Sequence, residues 1–107
     1  MSDKHTAVAE ILIDIEKELR ELRLWEFKSP SEEALLSTQP FAIDTLNFPQ
    51  WLQFIFIPRL YFMVEQRLPL PDVSGVKPMA EEYFVVLNLN SENLIAHLDR
   101  IDNLLSE

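Results

Sequence analysis

The segment from Phe48 to Val64 reads FPQWLQFIFIPRLYFMV and is apolar on every side of any helix built from it. A helix that is hydrophobic all round belongs in the interior of a protein. A chain of 107 residues offers little other protein to surround such a helix. We therefore predict that the rest of the chain wraps this helix completely, or that one face is left for a partner or ligand.

The length and composition predict a single domain over residues 1–107. An apolar fraction of 48% is enough for one hydrophobic core. The absence of cysteine excludes disulfides and zinc–thiolate sites, and it is compatible with a reducing compartment. The first 21 residues are too highly charged for an export signal, and the apolar segment is shorter than the ~20 residues of a membrane span. We expect a cytoplasmic protein that has no membrane segment.

The charge of the chain limits its partners. Eighteen acidic residues against nine basic ones give a net charge of −9. Phosphate backbones repel such a surface, because nucleic-acid affinity depends on Lys and Arg displacing counterions. We therefore expect no direct nucleic-acid binding. The expected partner is another protein, for which a basic surface is electrostatically suited, or a second copy of the chain in a homodimer.

The first 24 residues have the periodicity of an amphipathic helix. Its apolar stripe consists of Val8, Ile11, Ile15, Leu19 and Leu22. We predict a helix that begins at Asp3 or Thr6 and ends at Leu24. A short helix over Ser31 to Ser37 should follow, with Ser29 as its N-cap and Pro30 in the first helical position. It lies within a long segment, residues 24–46, that we expect to pack across the central helix.

Several residues define the predicted central helix. Asp44 and Thr45 can both cap its start, and Pro49 is tolerated in a first turn. Pro58 lies well inside the helix, where it removes a backbone hydrogen bond, so we predict a kink or a break there. The helix should continue to about Gln66.

Two amphipathic segments follow an irregular connector over residues 68–77. Pro78 suits the first turn of the first segment. Its predicted apolar contacts are Tyr83, Phe84, Val86 and Leu87. Ser91 precedes the second segment, whose apolar residues are Leu94, Leu98, Ile101 and Leu105. A bend is predicted at residues 88–90, so the two segments are either separate helices or one continuous helix.

These elements predict an all-α fold. The expected architecture is a compact four-helix bundle. Its central apolar helix is kinked at an internal proline, and a long loop packs across it.

The motifs of the middle of the chain are similar to those of a known family. They read Pro30-x-x-Glu33-Ala34-Leu35, then Pro40-Phe41-x-x-Asp44-Thr45-Leu46-x-Phe48-x-Gln50-Trp51-Leu52-Gln53, then Ile57-Pro58-Arg59. They resemble the YqcC-like proteins of proteobacteria over nearly the whole chain. The resemblance implies a small helical bundle with no assigned activity. Members are often encoded beside a tRNA pseudouridine synthase, which implies an accessory protein that contacts the enzyme rather than the tRNA.

The candidate binding residues lie in and just before the central helix. Gln50 and Gln53 share a helix face, so they either project two amides into one pocket or hydrogen-bond the backbone of residues 40–46. Arg59 either clamps a carboxylate or phosphate of a ligand or forms a structural ion pair with Asp44 or Glu33. Alternatively, Arg59 stacks on Phe62. Asp44 is itself either a cap or a functional carboxylate.

Aromatic side chains around Trp51 allow three interpretations: a packed core, an apolar ligand pocket or a surface that faces a protein partner. The set comprises Trp25, Phe41, Phe48, Trp51, Phe54, Phe56 and Phe62, with Met79, Tyr83 and Phe84 as a possible extension.

Catalytic and metal-binding motifs are missing from the sequence. His5 and His97 are not in a metal-binding frame, and a single glycine excludes a glycine-rich phosphate loop. We expect no cofactor, no metal and no catalysis. The preferred hypothesis is a non-catalytic interaction or accessory protein that uses an apolar patch in an acidic surface. The alternative is a protein that binds an apolar or amphipathic small molecule beside Trp51.

Overall fold

The computed structural model describes residues 3–87 and 89–107, which form helices and irregular segments without a strand. The elements are α1 (Lys4–Glu21), α2 (Glu32–Leu35), a 3-10 turn (Pro40–Ala42), α3 (Phe48–Trp51), a π-helical turn (Leu52–Phe56), α4 (Ile57–Glu65), α5 (Val76–Phe84) and α6 (Glu92–Leu105). We call α3, the π turn and α4 together the central helix. The radius of gyration, 13.5 Å, is close to the roughly 13 Å expected for a compact chain of this length. The predicted all-α bundle is confirmed.

The core lies where α1, α6 and the central helix meet. The predicted stripe of α1 is buried from Val8 to Leu19. Its last member, Leu22, is half-buried and follows the end of the helix at Glu21, so the predicted end at Leu24 is wrong. It packs on α4 and on α6, and α5 packs on α6. All four predicted apolar residues of α6 belong to this core. Because the apolar periodicity of α1 and α6 matches the helical repeat, these two helices face the core as the sequence predicts.

Pro58 is accommodated without a break in the central helix. The helix widens to a π turn over Leu52–Phe56, in which the N–H of Ile57 donates to the carbonyl of Leu52. The wider turn ends at Phe56, two residues before Pro58, which has no backbone N–H to donate. The predicted break is therefore absent, since the helix is continuous through Pro58 and contains a π turn before it.

The predicted caps of two helices are wrong. Ser31, not Ser29, caps α2, since its hydroxyl accepts the N–H of Ala34 at 3.1 Å. The N-cap of the central helix is Asn47, which forms a capping box with Gln50. Asp44 and Thr45 come too early in the chain for that role.

Asp44 and Thr45 instead tie the 3-10 turn to the end of α2. Asp44 accepts the hydroxyl of Ser37, and the hydroxyl of Thr45 donates to the carbonyl of Ala34 at 2.7 Å. Both residues thus fix the loop that precedes the central helix, rather than the helix itself.

The two C-terminal segments are separate helices. Gly75, at φ 63°, takes the left-handed backbone conformation that favours glycine and precedes α5. The carboxylate of Asp102 in α6 accepts the first two N–H groups of α5, from Val76 at 3.1 Å and Lys77 at 2.9 Å. Asn88, in the predicted bend, lies outside the described residues. Within the described ranges, no helix has both the length and the apolar character needed to cross a membrane.

Candidate interaction site

An open apolar groove of about 400 Å³ lies between the 3-10 turn, α3 and α5. Leu46 and Phe48 are buried in it, and both belong to the main core. Phe41, Met79 and Tyr83 are half-buried. The remaining lining residues are Ile43, Asn47, Glu82 and Val86. We use the name apolar groove for this set of nine residues.

The edges of the apolar groove expose large apolar side chains. Ile43 is 63% exposed and Val86 is 81% exposed. Apolar exposure continues along the chain beyond α5 at Val85, Leu87 and Leu89. Ile43 and Val86 line the same groove, and exposed apolar surface that clusters in this way is typical of interaction sites.

Left-handed backbone conformations lie at one wall of the groove. Phe41 has φ 58° and Ala42 has φ 48°, values that cost about 1–2 kcal/mol each for residues other than glycine. The ring of Phe41 packs edge-on against Trp51, with 4.8 Å between the ring centres. This packing and the burial of Ala42 offset the strain, so the wall of the groove is held in a defined shape.

The predicted glutamine pair anchors a loop and does not line the apolar groove. Gln53 is 6% exposed. Its amide oxygen accepts the backbone N–H of Glu26 at 2.8 Å, and its amide nitrogen donates to the Glu26 carbonyl at 2.7 Å. Gln50 closes the capping box with Asn47 and donates to the Glu26 carboxylate at 3.2 Å. The predicted partner, the backbone of residues 40–46, is wrong, because residues 24–27 cross the helix at this point.

Trp51 lies in a core aromatic cluster. Its ring centre is 5.1 Å from that of Phe56 and 6.1 Å from that of Phe48. Trp25 lies elsewhere, with the guanidinium of Arg20 at 4.3 Å from its ring centre. The aromatic residues grouped together in the sequence prediction therefore do not form a single cluster, since Trp51 packs with Phe48 and Phe56 whereas Trp25 packs against Arg20.

Arg59 is exposed and lines a second concavity, of about 240 Å³, between α4 and the connector before α5. Trp51 and Leu60 contribute to its floor, and Met63 and Val73 also line it. Among the described residues, no carboxylate lies within ion-pair distance of Arg59, so the predicted bridges to Asp44 and Glu33 do not form. The structure thus brings Trp51 and Arg59 together and leaves Gln50, Gln53 and Asp44 outside this concavity.

The two exposed apolar residues of the groove, Ile43 and Val86, were not predicted as site residues from the sequence. Ile43 carried no signal, because an isolated isoleucine in a loop suggests ordinary packing. Val86 was predicted to make apolar contacts within a helix, but α5 ends at Phe84 and the side chain of Val86 points to solvent. Over the described ranges, no group of three or more His, Asp or Glu residues is arranged to hold a metal ion.

This geometry defines a small all-helical domain that carries the apolar groove and a smaller concavity around Arg59. The chain belongs to the DUF446 family, whose model is described as "tRNA pseudouridine synthase C" and matches residues 7–104. The predicted resemblance to YqcC-like proteins is confirmed.

Three similar proteins illustrate this relationship. The uncharacterized protein YqcC of Escherichia coli K12 is 31% identical over 103 residues, which are 96% of this chain and 94% of that protein. The solution NMR structure of E. coli YqcC superposes with a TM-score of 0.87 at 30% identity, covering 99% of this chain and 91% of that one. A protein of Pectobacterium carotovorum named tRNA pseudouridine synthase C is 41% identical over 68 residues. Those residues are 64% of this chain but only 18% of that protein.

Proposed function

We propose that this domain is a non-catalytic accessory protein that binds a tRNA pseudouridine synthase through the apolar groove. The observation that carries the proposal is the groove itself, with Ile43 and Val86 exposed at its edges. In the described part of the chain, the core buries twenty apolar residues, and neither Ile43 nor Val86 is among them. Folding therefore does not account for the exposed apolar residues, whereas docking of another protein does.

The identity of the partner is supported by the Pectobacterium relative. The matched segment is 18% of a protein named for the synthase, so more than four-fifths of that protein lies outside the match. A sequence similar to this domain and the remainder of that protein are thus joined in one chain. We infer that the same two parts associate non-covalently where this domain occurs in a separate chain.

Polar substitution of the two exposed groove residues should abolish docking without affecting the fold. We expect Ile43→Ser with Val86→Ser to weaken binding of purified tRNA pseudouridine synthase C by on the order of tenfold or more, since full burial of one such side chain contributes about 1.5–3 kcal/mol. Isothermal titration calorimetry measures this affinity. The matched control is Ile13→Ser, because Ile13 is 59% exposed on α1, against 63% for Ile43. Docking in the groove would be contradicted if the unmodified domain, the double variant and Ile13→Ser all bound the synthase with equal affinity.

A second function is favoured by the concavity that Trp51 and Arg59 share. Its floor is apolar and Arg59 is its one basic lining residue. This combination suits a small amphipathic carboxylate, with the guanidinium binding the carboxylate in a bidentate manner.

Octanoate tests this second function. In a Trp25→Phe background, where Trp51 is the remaining tryptophan, octanoate should change the fluorescence of Trp51. Arg59→Gln should then weaken binding about tenfold, as expected for loss of a charge-assisted hydrogen bond. The control is Lys28→Gln, which removes an exposed positive charge outside the concavity. If octanoate leaves the fluorescence unchanged, or if both variants bind alike, the ligand function is wrong.

A further inference from the structure

We infer that the segment docked in the apolar groove is cationic. One or two bulky apolar side chains would enter the groove, and Lys or Arg residues beside them would face Asp44 and Glu82. This inference rests on the proposed docking function and specifies the chemistry of the docked segment.

Basic residues are segregated away from the two parts of the chain that build the groove. None of the nine Lys and Arg residues falls within residues 29–58 or 78–99, which carry seven of the eighteen carboxylates. All lining residues of the groove come from these two ranges. A cleft surrounded by charge of one sign focuses the electrostatic potential and attracts the opposite charge.

The carboxylates nearest to the groove are available to a partner. Glu82 lines the groove and is exposed, and Asp44 is exposed beside Ile43. Within the described part of the chain, neither residue has a Lys or Arg partner within 4.0 Å. Asp44 accepts only the neutral hydroxyl of Ser37. Neither carboxylate is neutralised by an ion pair within the described part of the chain, so a cation of a partner can interact with both of them.

Two other occupants suit this charge distribution poorly. A second copy in a two-fold dimer would place the same acidic surface against itself, and like charges at an interface cost affinity. RNA would add its phosphate charges to this carboxylate rim, without local Lys or Arg to replace their counterions. A basic segment of a protein is the occupant that satisfies both the apolar lining and the acidic rim.

A pair of labelled peptides tests the inference directly. Each is a 14-residue fluorescein-labelled peptide with Leu on one helical face, and Lys or Glu fills the remaining positions. We expect fluorescence anisotropy to show binding of the Leu/Lys peptide and at least tenfold weaker binding of the Leu/Glu peptide. Ile43→Ser with Val86→Ser should abolish binding of the Leu/Lys peptide.

Charge-neutral variants locate the effect. Asp44→Asn with Glu82→Gln should weaken the Leu/Lys peptide roughly fivefold and reduce its salt dependence, because each rim charge contributes modestly. Asn at position 44 keeps an oxygen for the Ser37 hydroxyl. The matched control, Glu10→Gln with Glu65→Gln, makes the same change in net charge at exposed residues that do not line the groove. It should bind like the original protein.

The outcomes separate this inference from the proposed function. The cationic inference is overturned if Asp44→Asn with Glu82→Gln weakens peptide binding no more than the control Glu10→Gln with Glu65→Gln. It is also overturned if the Leu/Lys and Leu/Glu peptides bind equally well. Dimerisation through the groove, detected by sedimentation and removed by Ile43→Ser with Val86→Ser, would also overturn it. If binding of the synthase depends on Ile43 and Val86 but not on Asp44 and Glu82, the proposed docking is supported and the cationic inference is wrong. Charge-dependent peptide binding without synthase binding would support the inference and reject the proposed partner.

Discussion

Replacing Gln53 by leucine is expected to lower the free energy of unfolding by about 3 kcal/mol, as each backbone group left without its partner costs about 1–3 kcal/mol. The Gln53 amide satisfies both the N–H and the carbonyl of Glu26 from a nearly buried position. Leucine fills a similar volume but offers neither a donor nor an acceptor. The loop over residues 24–27 should therefore detach from the central helix. Urea denaturation followed by circular dichroism measures the change.

Gln50→Ala is the comparison for this prediction. It removes one half of a capping box and a part-buried hydrogen bond to the Glu26 carboxylate, so we expect a loss of about 1 kcal/mol. Gln66→Leu, at the exposed end of α4, serves as the control for the substitution itself. If Gln53→Leu is no more destabilising than Gln66→Leu, the amide of Gln53 does not hold the loop over residues 24–27, and the role assigned to Gln53 is wrong.

Replacing Asp102 by alanine is expected to cost about 2 kcal/mol of stability, as for the loss of a strong helix cap. Its carboxylate accepts the N–H groups of Val76 and Lys77 and the hydroxyl of Ser74. It also places a negative charge at the positive end of α5. Because α5 forms one wall of the apolar groove, the same variant should weaken binding of the synthase.

Asp99→Ala is the matched control for Asp102, since both residues lie on α6. Asp99 forms only a partly exposed ion pair with Lys77 at 3.5 Å, and surface pairs of this kind contribute little. We expect a change below about 0.5 kcal/mol for this control. Thermal denaturation of both variants measures the difference. Equal stability of the two variants would show that the cap of α5 does not depend on Asp102.

The sequence predicted the helices whose apolar residues follow the helical repeat, because burial of one face is a local property of the pattern. This explains the success at α1 and α6. The caps failed where several suitable oxygen atoms follow one another, as at Ser29 and Ser31 or at Asp44 and Asn47. Each is a good cap by itself, and the tertiary packing of the loop decides which one is used.

The candidate site was harder to predict than the fold. Gln50 and Gln53 were conspicuous as polar residues in an apolar helix, yet their partner is the loop at Glu26, which lies 24 and 27 residues away in the chain. The apolar groove arises only when α5 packs beside α3, so its residues share no motif. Met79 and Tyr83 were recognised as a possible patch because they are large. Exposure of Ile43 and Val86 depends on tertiary contacts that no local pattern encodes.

The central claim, that a partner docks in the apolar groove, is tested most directly by mapping the contact on the intact domain. The protein with labelled methyl groups is titrated with unlabelled tRNA pseudouridine synthase C, and its methyl NMR signals are followed. We expect the signals of Ile43, Met79 and Val86 to shift or broaden, while that of Ile13 stays unchanged. Changes confined to Met63 and Val73, beside Arg59, or the absence of any change at saturating synthase would contradict the claim.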